Sequence, residues 1–276
     1  MSETEMKRPY DVAILGGGNL GAVLARGWAG AGMFTPERIA LTRRQTEKLA
    51  PLEAQGYVVT DDNKAAVRGA RLIVIAVQPQ QLAGLLEEIG PELDPERHRV
   101  VSVVSGASIQ AIQDACGKPV PVVRAMPNTA VLIGESMTCL AVEEGGRDEL
   151  LQEAEELFGV VGRTLVIPEE MIVPATALCA CGIAFFLRTV RAAAQGGIEI
   201  GFHPEDAALL AAQTAKGAAS LALRDGAHPE GEIDRVTTPR GCTITGLNEM
   251  EHHGLSSAMI RGIVTSARAA ADLYTG

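Results

Sequence analysis

Leu15–Gly21, LGGGNLG, follows the apolar run DVAIL (11–15) and opens into LGAVLARGWAGAG (20–32). The run before it reads as a strand. The stretch after it carries apolar residues three and four apart and reads as a helix. Gly16-x-Gly18-x-x-Gly21 at such a junction has a physical use. The first glycine allows a sharp turn, and the second lets backbone approach a pyrophosphate. The third lets helix pack on strand, and the helix N-terminus offers free N–H groups to the anion. A glycine-rich turn between any strand and helix would use the same residue type. The strand–loop–helix context favours a dinucleotide site.

Outward from that loop, short β-branched runs alternate with helical stretches up to about residue 167. The strand candidates are RIALT (38–42), YVVT (57–60), LIVIAV (72–77), RVVSVV (99–104), VPVVRAM (120–126) and MTCLAV (137–142). EKLAPLEAQG, QQLAGLLEEIG and SIQAIQDACG between them are compatible with helices. Runs apolar throughout fit strands covered on both faces, as in a mostly parallel, doubly wound sheet. After LVIPEE the strand candidates stop. Residues 171–201, 204–226 and 254–274 are long Ala- and Leu-rich helical stretches, with the loop VTTPRGCTITGL (236–247) between the last two. The expected architecture is an α/β Rossmann-like domain, residues 1–167, followed by an all-α domain, residues 168–276. The first helix of that second domain is apolar almost all round. Covering it by a second copy of the chain predicts an oligomer.

The totals bound the function. Lys and Arg number 24 against 34 Asp and Glu, a net charge of −10, which argues against a nucleic-acid partner. Cys116, Cys139, Cys179, Cys181 and Cys242 show no CxxC pairing or His cluster, so they are expected to be reduced thiols, with no metal site. MSETEMKRPY lacks the basic-then-apolar plan of a signal peptide, and the expectation is a cytoplasmic protein. Residues 171–187 are uncharged but interrupted by Pro174, Thr176 and Gly182, which favours a buried helix over a membrane span.

The second strand sets the cofactor expectation. A NAD site places an acid there, about 20 residues past the glycines, to hold the ribose 2′-hydroxyl. Here the strand ends in Thr42, Arg43 and Arg44. A hydroxyl and two guanidiniums suit a 2′-phosphate, so NADPH is expected as the cofactor, with NADH weaker. Basic residues at a helix start, which ordinarily favours acids, strengthen that reading.

Five segments in order now resemble pyrroline-5-carboxylate reductase, the family that makes proline. They are AILGGGNLG, AVQPQQL (76–82), VVSVVSGASI (100–109), VVRAMPNTAVLIGESMTCL (122–140) and AQTAKGAASL…HPEGEIDRVTTPRGCTITGL (212–247). The resemblance implies a Rossmann domain with a helical dimerisation domain, a homodimer and, from dimers, a decamer. It implies NADPH-dependent reduction of the C=N bond of Δ1-pyrroline-5-carboxylate to L-proline, hydride passing from the nicotinamide to the imine carbon. Carried over to this chain, cofactor contacts fall on Gly16, Gly18, Asn19, Leu20, Gly21, Thr42 and Arg43, with Arg44 beside them. Asn63, Ala76, Val77, Gln78, Pro79, Ser105 and Gly106 complete the cofactor side. The carboxylate of a cyclic imino acid falls on Thr238, Gly241, Cys242 and Thr243, with Glu169 at the pocket edge.

The chemistry of that last loop also follows from its residues. TTPRGCTITGL runs into a helical stretch, so Gly241, Cys242 and Thr243 are expected to point free N–H groups at a carboxylate. Hydride addition to an imine carbon leaves basicity on nitrogen. The Thr243 hydroxyl could supply the proton, or the imine could enter protonated. An ordinary capped helix start would use the same residues.

Several positions depart from the family pattern. Cys179-Ala180-Cys181-Gly182-Ile183-Ala184-Phe185 stands where Ser-Gly-Ser-Gly-Pro-Ala-Tyr is usual, and Arg240 stands where a glycine is usual. Cys179 and Cys181, two apart and with no base nearby, read as packing thiols. These departures keep open a reductase of another cyclic imine and a protein that binds NADPH without turnover. A β-hydroxyacid dehydrogenase would need a lysine on the first helix of the second domain. Residues 175–190 have none, their one charge being Arg188, and Lys216 lies on a later helix. His203, His228, His252 and His253 read as surface or capping residues.

Overall fold

The computed structural model describes residues 9–143 and 148–272 and separates them into two compact units. One holds the chain through Ala180 and from Ala267 on; the other is Cys181–Ser266. In the first, the chain runs β1 (Val12–Leu15), α1 (Asn19–Gly30), β2 (Ile39–Thr42), α2 (Ala50–Glu53), β3 (Val58–Thr60), α3 (Asn63–Gly69) and β4 (Leu72–Ile75). It continues through α4 (Pro79–Ile89), β5 (Arg99–Ser102), α5 (Ile109–Cys116), β6 (Val122–Met126), β7 (Ser136–Val142), α6 (Asp148–Gly159) and β8 (Gly162–Val166). The sheet order is β3-β2-β1-β4-β5-β6-β7-β8. β1 to β6 are parallel, β7 is antiparallel to β6, and β8 is parallel to β7.

The apolar-throughout runs are the reason for this sheet. Successive residues of a strand point to opposite faces. Val12 and Ile14 join one core with Leu24, Trp28, Leu157 and Phe158, while Ala13 and Leu15 join the other with Leu82, Leu86, Ile109 and Ile112. Trp28 anchors the first core. Its ring meets Phe158 edge-on at 5.8 Å, and its buried Nε1–H donates to the Leu157 carbonyl at 2.8 Å. Helix starts carry their own caps. Asp62 accepts from the Ala65 N–H at 2.8 Å at α3, and Ser108 accepts from the Ala111 N–H at 3.1 Å at α5.

Three elements differ from the sequence reading. α3, α6 and β8 add to the expected alternation; NKAAVRG and GRTLV are short and mix charge with apolar residues, which hides their period. The long apolar stretch divides into α7 (Ile172–Ala175), a π-wound segment Thr176–Ala180, and α8 (Gly182–Glu199). Pro174 cannot donate to an α-helical ladder, and Gly182 follows the π segment. The first part packs in the sheet unit. Ile172, Ala175, Cys179 and Ala180 lie against Met126, Cys139 and Ala141.

The second unit is helical. α8, α9 (Pro204–Ala222), α10 (Pro229–Val236), α11 (Cys242–His252) and α12 (Leu255–Asp272) follow one another, the end of α12 counting with the first unit. α8 and α9 pack closely at Gly197, where an added Cβ would stand 3.1 Å from that of Ala207. The loop read as 236–247 is shorter than expected. α10 has Pro229 in its first turn with Glu230 and Glu232, and Arg235 in its last, so it is built on end charges without an apolar period. Only 237–241 is loop. Residues 169–199 have a mean hydropathy of 1.9 in their most apolar window, long and apolar enough for a span by composition alone. Large apolar side chains of α8 and α9 stay exposed, Phe186 by 59%, Leu187 by 62% and Leu209 by 68%.

Candidate active site

The parallel register brings the expected cofactor residues to one edge. Leu15 pairs with Thr42 and Ile75, Ile75 with Ser102, and Thr42 with Thr60. The segments that follow, 16–21, 43–44, 61–63, 76–79 and 103–106, therefore leave the carboxyl end of the same sheet, where doubly wound folds bind ligands.

At the glycine loop, Gly16 has φ +110°, and an added Cβ would stand 2.6 Å from the Ala76 carbonyl oxygen. Its N–H and that of Gly17 donate to the Thr42 carbonyl at 3.2 and 2.7 Å. Thr42 itself is buried and shapes the loop through its backbone. A Cβ on Gly21 would overlap the Gly16 carbonyl oxygen, whereas one on Gly18 would meet open space. Gly18 is thus the position where backbone is bare towards a ligand, just ahead of α1, whose start no side chain caps.

Arg43 closes the loop from the side, its Nη1 donating to the Gly17 carbonyl at 2.8 Å. A cleft of about 250 Å³ opens here, lined by Gly17, Gly18, Asn19, Arg26, Arg43 and Lys48 among others, with no carboxylate among the described residues of its wall. Three cations and a bare loop fit a pyrophosphate with a further phosphate on the ribose. Arg26 and Lys48 were missed by the sequence reading. The signal was there for Arg26: Asn19, Ala22, Val23 and Arg26 fall three and four apart on one face of α1, and all four line the cleft.

The other expected residues take different places. Leu20 packs against the Trp28 core, and Arg44 is exposed off the cleft wall. Asn63 begins α3 and donates from Nδ2 to Glu88 Oε2 at 3.1 Å. Ala76 and Val77 pack on opposite cores, and Gln78 and Pro79 start α4. Ser105 and Gly106 are half-buried between β5 and α5.

Glu169 stands beside that last loop. Its Oε1 accepts from the Ile109 N–H at 2.7 Å, at the start of α5, and from Arg124 Nη1 at 3.1 Å. The Arg124 side chain is 5% exposed, and its Nε and Nη2 find no hydrogen-bond partner among the described residues. Just past the end of β6, Asn128 accepts from the Ala130 N–H at 3.0 Å and donates from Nδ2 to the Cys179 carbonyl at 3.3 Å. Cys179 Sγ lies 3.8 Å from Cys139 Sγ on β7. A hydrogen bond from the Cys139 thiol lowers the Cys179 pKa to about 7. The Cys139 thiol is pushed up by that same bond and by burial. The sequence reading paired neither cysteine, because 40 residues separate them.

In the helical unit, Gly241, Cys242 and Thr243 form the start of α11, and Thr238 lies in the turn just before it. The Gly241 N–H is not free as expected: it donates to the Thr238 carbonyl at 2.9 Å, closing the turn. Gly241 is the N-cap, without a side-chain bond, so the first-turn N–H groups of Cys242 and Thr243 have no partner within the helix. Thr243 is half-buried and Cys242 exposed. Arg240, the residue before, has φ +60°. His203 and His228 precede α9 and α10, and His252 and His253 contact each other edge-on at 5.5 Å; all four are exposed.

Comparison with known proteins agrees with this layout. The family model for pyrroline-5-carboxylate reductase dimerisation matches residues 169–273, and one described as NADP oxidoreductase coenzyme F420-dependent matches 11–106. Pyrroline-5-carboxylate reductase 1 of Dictyostelium discoideum is 53% identical over 96% of this chain, which spans half the length of that relative. Pyrroline-5-carboxylate reductase 2 of the same organism is 47% identical, over 97% of this chain and 94% of its own. A pyrroline-5-carboxylate reductase structure from Coxiella burnetii superposes with a TM-score of 0.86 at 28% identity, over 96% of this chain and 98% of its own. With a glycine loop, a cationic cleft and a dimerisation segment in family order, the chain belongs to the pyrroline-5-carboxylate reductases.

Proposed function

We infer that the chain reduces the C=N bond of Δ1-pyrroline-5-carboxylate to give L-proline, with NADPH as cofactor. The observation that carries this reading is the acid-free cleft at the glycine loop, walled by Arg26, Arg43 and Lys48, in a chain of this family. Residues 1–167 serve as the dinucleotide domain and 168–276 as the dimerisation and substrate domain.

Gly18, Asn19 and Gly21 offer backbone to the pyrophosphate, Gly16 turns the loop, and Arg43 meets the 2′-phosphate with Thr42 behind it. Asn63, Ala76–Pro79 and Ser105–Gly106 edge the path of the nicotinamide, which when bound supplies the hydride. The N–H groups of Cys242 and Thr243 hold the substrate carboxylate without a lysine, and Thr238 and Gly241 shape that turn. The Thr243 hydroxyl hydrogen-bonds the ring nitrogen as it gains basicity. Glu169 fixes Arg124 and the start of α5 at the pocket edge. The helical domain pairs two chains, dimers assemble into a decamer, and the enzyme works in the cytoplasm without nucleic acid or membrane.

Steady-state oxidation of NADPH and of NADH with this imine, beside a panel of other cyclic imines, tests the reading. Turnover of this imine with NADPH preferred supports it. Tight NADPH binding with turnover only of another imine would mean that Arg240 and the Cys179–Phe185 departures have redirected the pocket.

A further inference from the structure

Cys139 and Cys179 are poised for more than packing. Their sulfurs stand 3.8 Å apart among Met126, Ala141, Ile172, Ala175 and Ala180, an apolar setting. A disulfide is about 2.05 Å long, so closure needs about 1.8 Å of approach. Cys179 lies in the π-wound Thr176–Ala180, a departure from regular α winding of the kind that occurs frequently at functional sites. The two thiols also differ in access. Cys139 is 3% exposed, while Cys179 is only partly buried and is the more accessible of the two.

We propose that Cys139 and Cys179 form a reversible redox dithiol, closed to a disulfide by hydrogen peroxide and reopened by a dithiol reductant. The Cys179 thiolate attacks a peroxide oxygen, breaking the O–O bond and leaving a sulfenic acid at Cys179 and one water after proton uptake. The Cys139 sulfur then attacks the sulfenic sulfur. The S–S bond forms, the S–O bond breaks, and the Cys139 proton leaves with hydroxide as a second water. Two thiols are oxidised by two electrons and one peroxide is reduced. The lowered pKa of Cys179 makes it the attacking thiolate, and the raised one of Cys139 makes it the resolving thiol.

Closure also acts on the site. The Cys179 carbonyl accepts from Asn128 Nδ2, and Asn128 holds the turn that follows β6 through the Ala130 N–H. Drawing Cys179 towards β7 strains that bond, so the disulfide depresses reductase turnover severalfold. This consequence rests on the proposed reductase activity; the disulfide does not.

The test exposes the full-length protein to hydrogen peroxide, quenches with catalase, alkylates free thiols and maps peptides by mass. The expected result is a Cys139–Cys179 linked peptide, an intact mass lower by two hydrogens, and reversal by dithiothreitol. Cys139→Ser should leave a sulfenic acid at Cys179 that dimedone traps. Both thiols still alkylated after Cys242 has been oxidised, or a Cys179–Cys181 link instead, overturns the proposal. If Cys139→Ser fails to fold, the wild-type peptide map decides alone. Turnover read in parallel separates the two ideas. An active enzyme without the link sinks the switch alone, and a link in a protein with no imine turnover even after dithiothreitol has reopened it sinks the reductase reading alone.

Discussion

Trp28 on α1 is fully buried, while Leu187 on α8 is 62% exposed, although both are large apolar residues on helices of a compact unit. The sheet unit covers β1, β2, β4 and β6 with its own helices on both faces, although Leu132, Ile133, Leu165 and Val166 at its other end stay exposed. The helical unit leaves Phe186, Leu187, Ile200 and Leu209 bare, and a groove of about 310 Å³ runs along α8 between Leu187 and Ile198. A fully buried leucine contributes about 1.5–3 kcal/mol over an exposed one. The first unit collects that from its own chain. The second can collect it only from another surface, in keeping with the dimerisation segment it carries.

The comparison breaks first if the sheet unit is damaged and assembly fails with it. Gly21→Ala places a methyl group into the Gly16 carbonyl, a backbone atom that cannot step aside. Overpacking costs about 1–3 kcal/mol and displaces the loop as well. NADPH affinity should fall by on the order of 100-fold, or about 2.7 kcal/mol, in a fluorescence titration. Light scattering should still report the wild-type mass. A variant that loses its mass together with its affinity would show that the two units are not separable.

The reverse experiment strikes the helical unit. Leu187→Asp with Leu209→Asp puts two charges onto the bare apolar face, where a partner copy would have to desolvate them. The double variant should sediment as a monomer and keep its NADPH titration within about twofold, which is about 0.4 kcal/mol. An unchanged mass would mean that another face makes the dimer.

Arg43→Gln sharpens the comparison inside the sheet unit. A hydrogen bond to a charged group contributes about 1.5–3 kcal/mol, so loss of the 2′-phosphate contact should raise the KM for NADPH by about 10- to 100-fold. The KM for NADH should hardly move. Equal losses for both cofactors would assign Arg43 to the loop alone, through its bond to the Gly17 carbonyl.

What was legible in the sequence followed the same divide. The glycine loop, seven strands and the Arg43 side of the cleft rest on local patterns, periods of two and 3.6 and a spacing of a few residues. β8 and α3 were not legible, since each is short and interleaves charge with apolar residues. Lys48 reaches the cleft only through the turn that leads into α2. The Cys139–Cys179 pair and the Glu169 carboxylate at the start of α5 need a strand and a helix brought together from 40 and 60 residues away. A departure from the family pattern flagged Cys179 but not what it would face. The exposed face of the helical unit was legible as an excess of apolar residues, because covering that excess is a matter of quantity and not of geometry.

The smallest effect separates strain from charge at the one described position with a positive φ that is not glycine. In the sheet unit every described positive φ belongs to glycine; in the helical unit Arg240 holds φ +60° just before the N-cap Gly241. A left-handed side-chain-bearing residue costs about 1–2 kcal/mol. Glycine there removes that strain but adds about 0.5–1 kcal/mol of unfolded-chain freedom. Arg240→Gly should therefore raise the stability by about 1.5 kcal/mol at most, a shift of a few degrees or less in thermal unfolding. Arg240→Ala removes the same charge and keeps the Cβ, so it should gain nothing. Equal stabilisation by both variants would assign the effect to the guanidinium and leave the turn unstrained. Stabilisation by glycine alone, with a changed KM for the imine, would mean that this chain keeps a strained arginine beside Cys242 and Thr243 for its contact with substrate, a use of strain typical of binding loops.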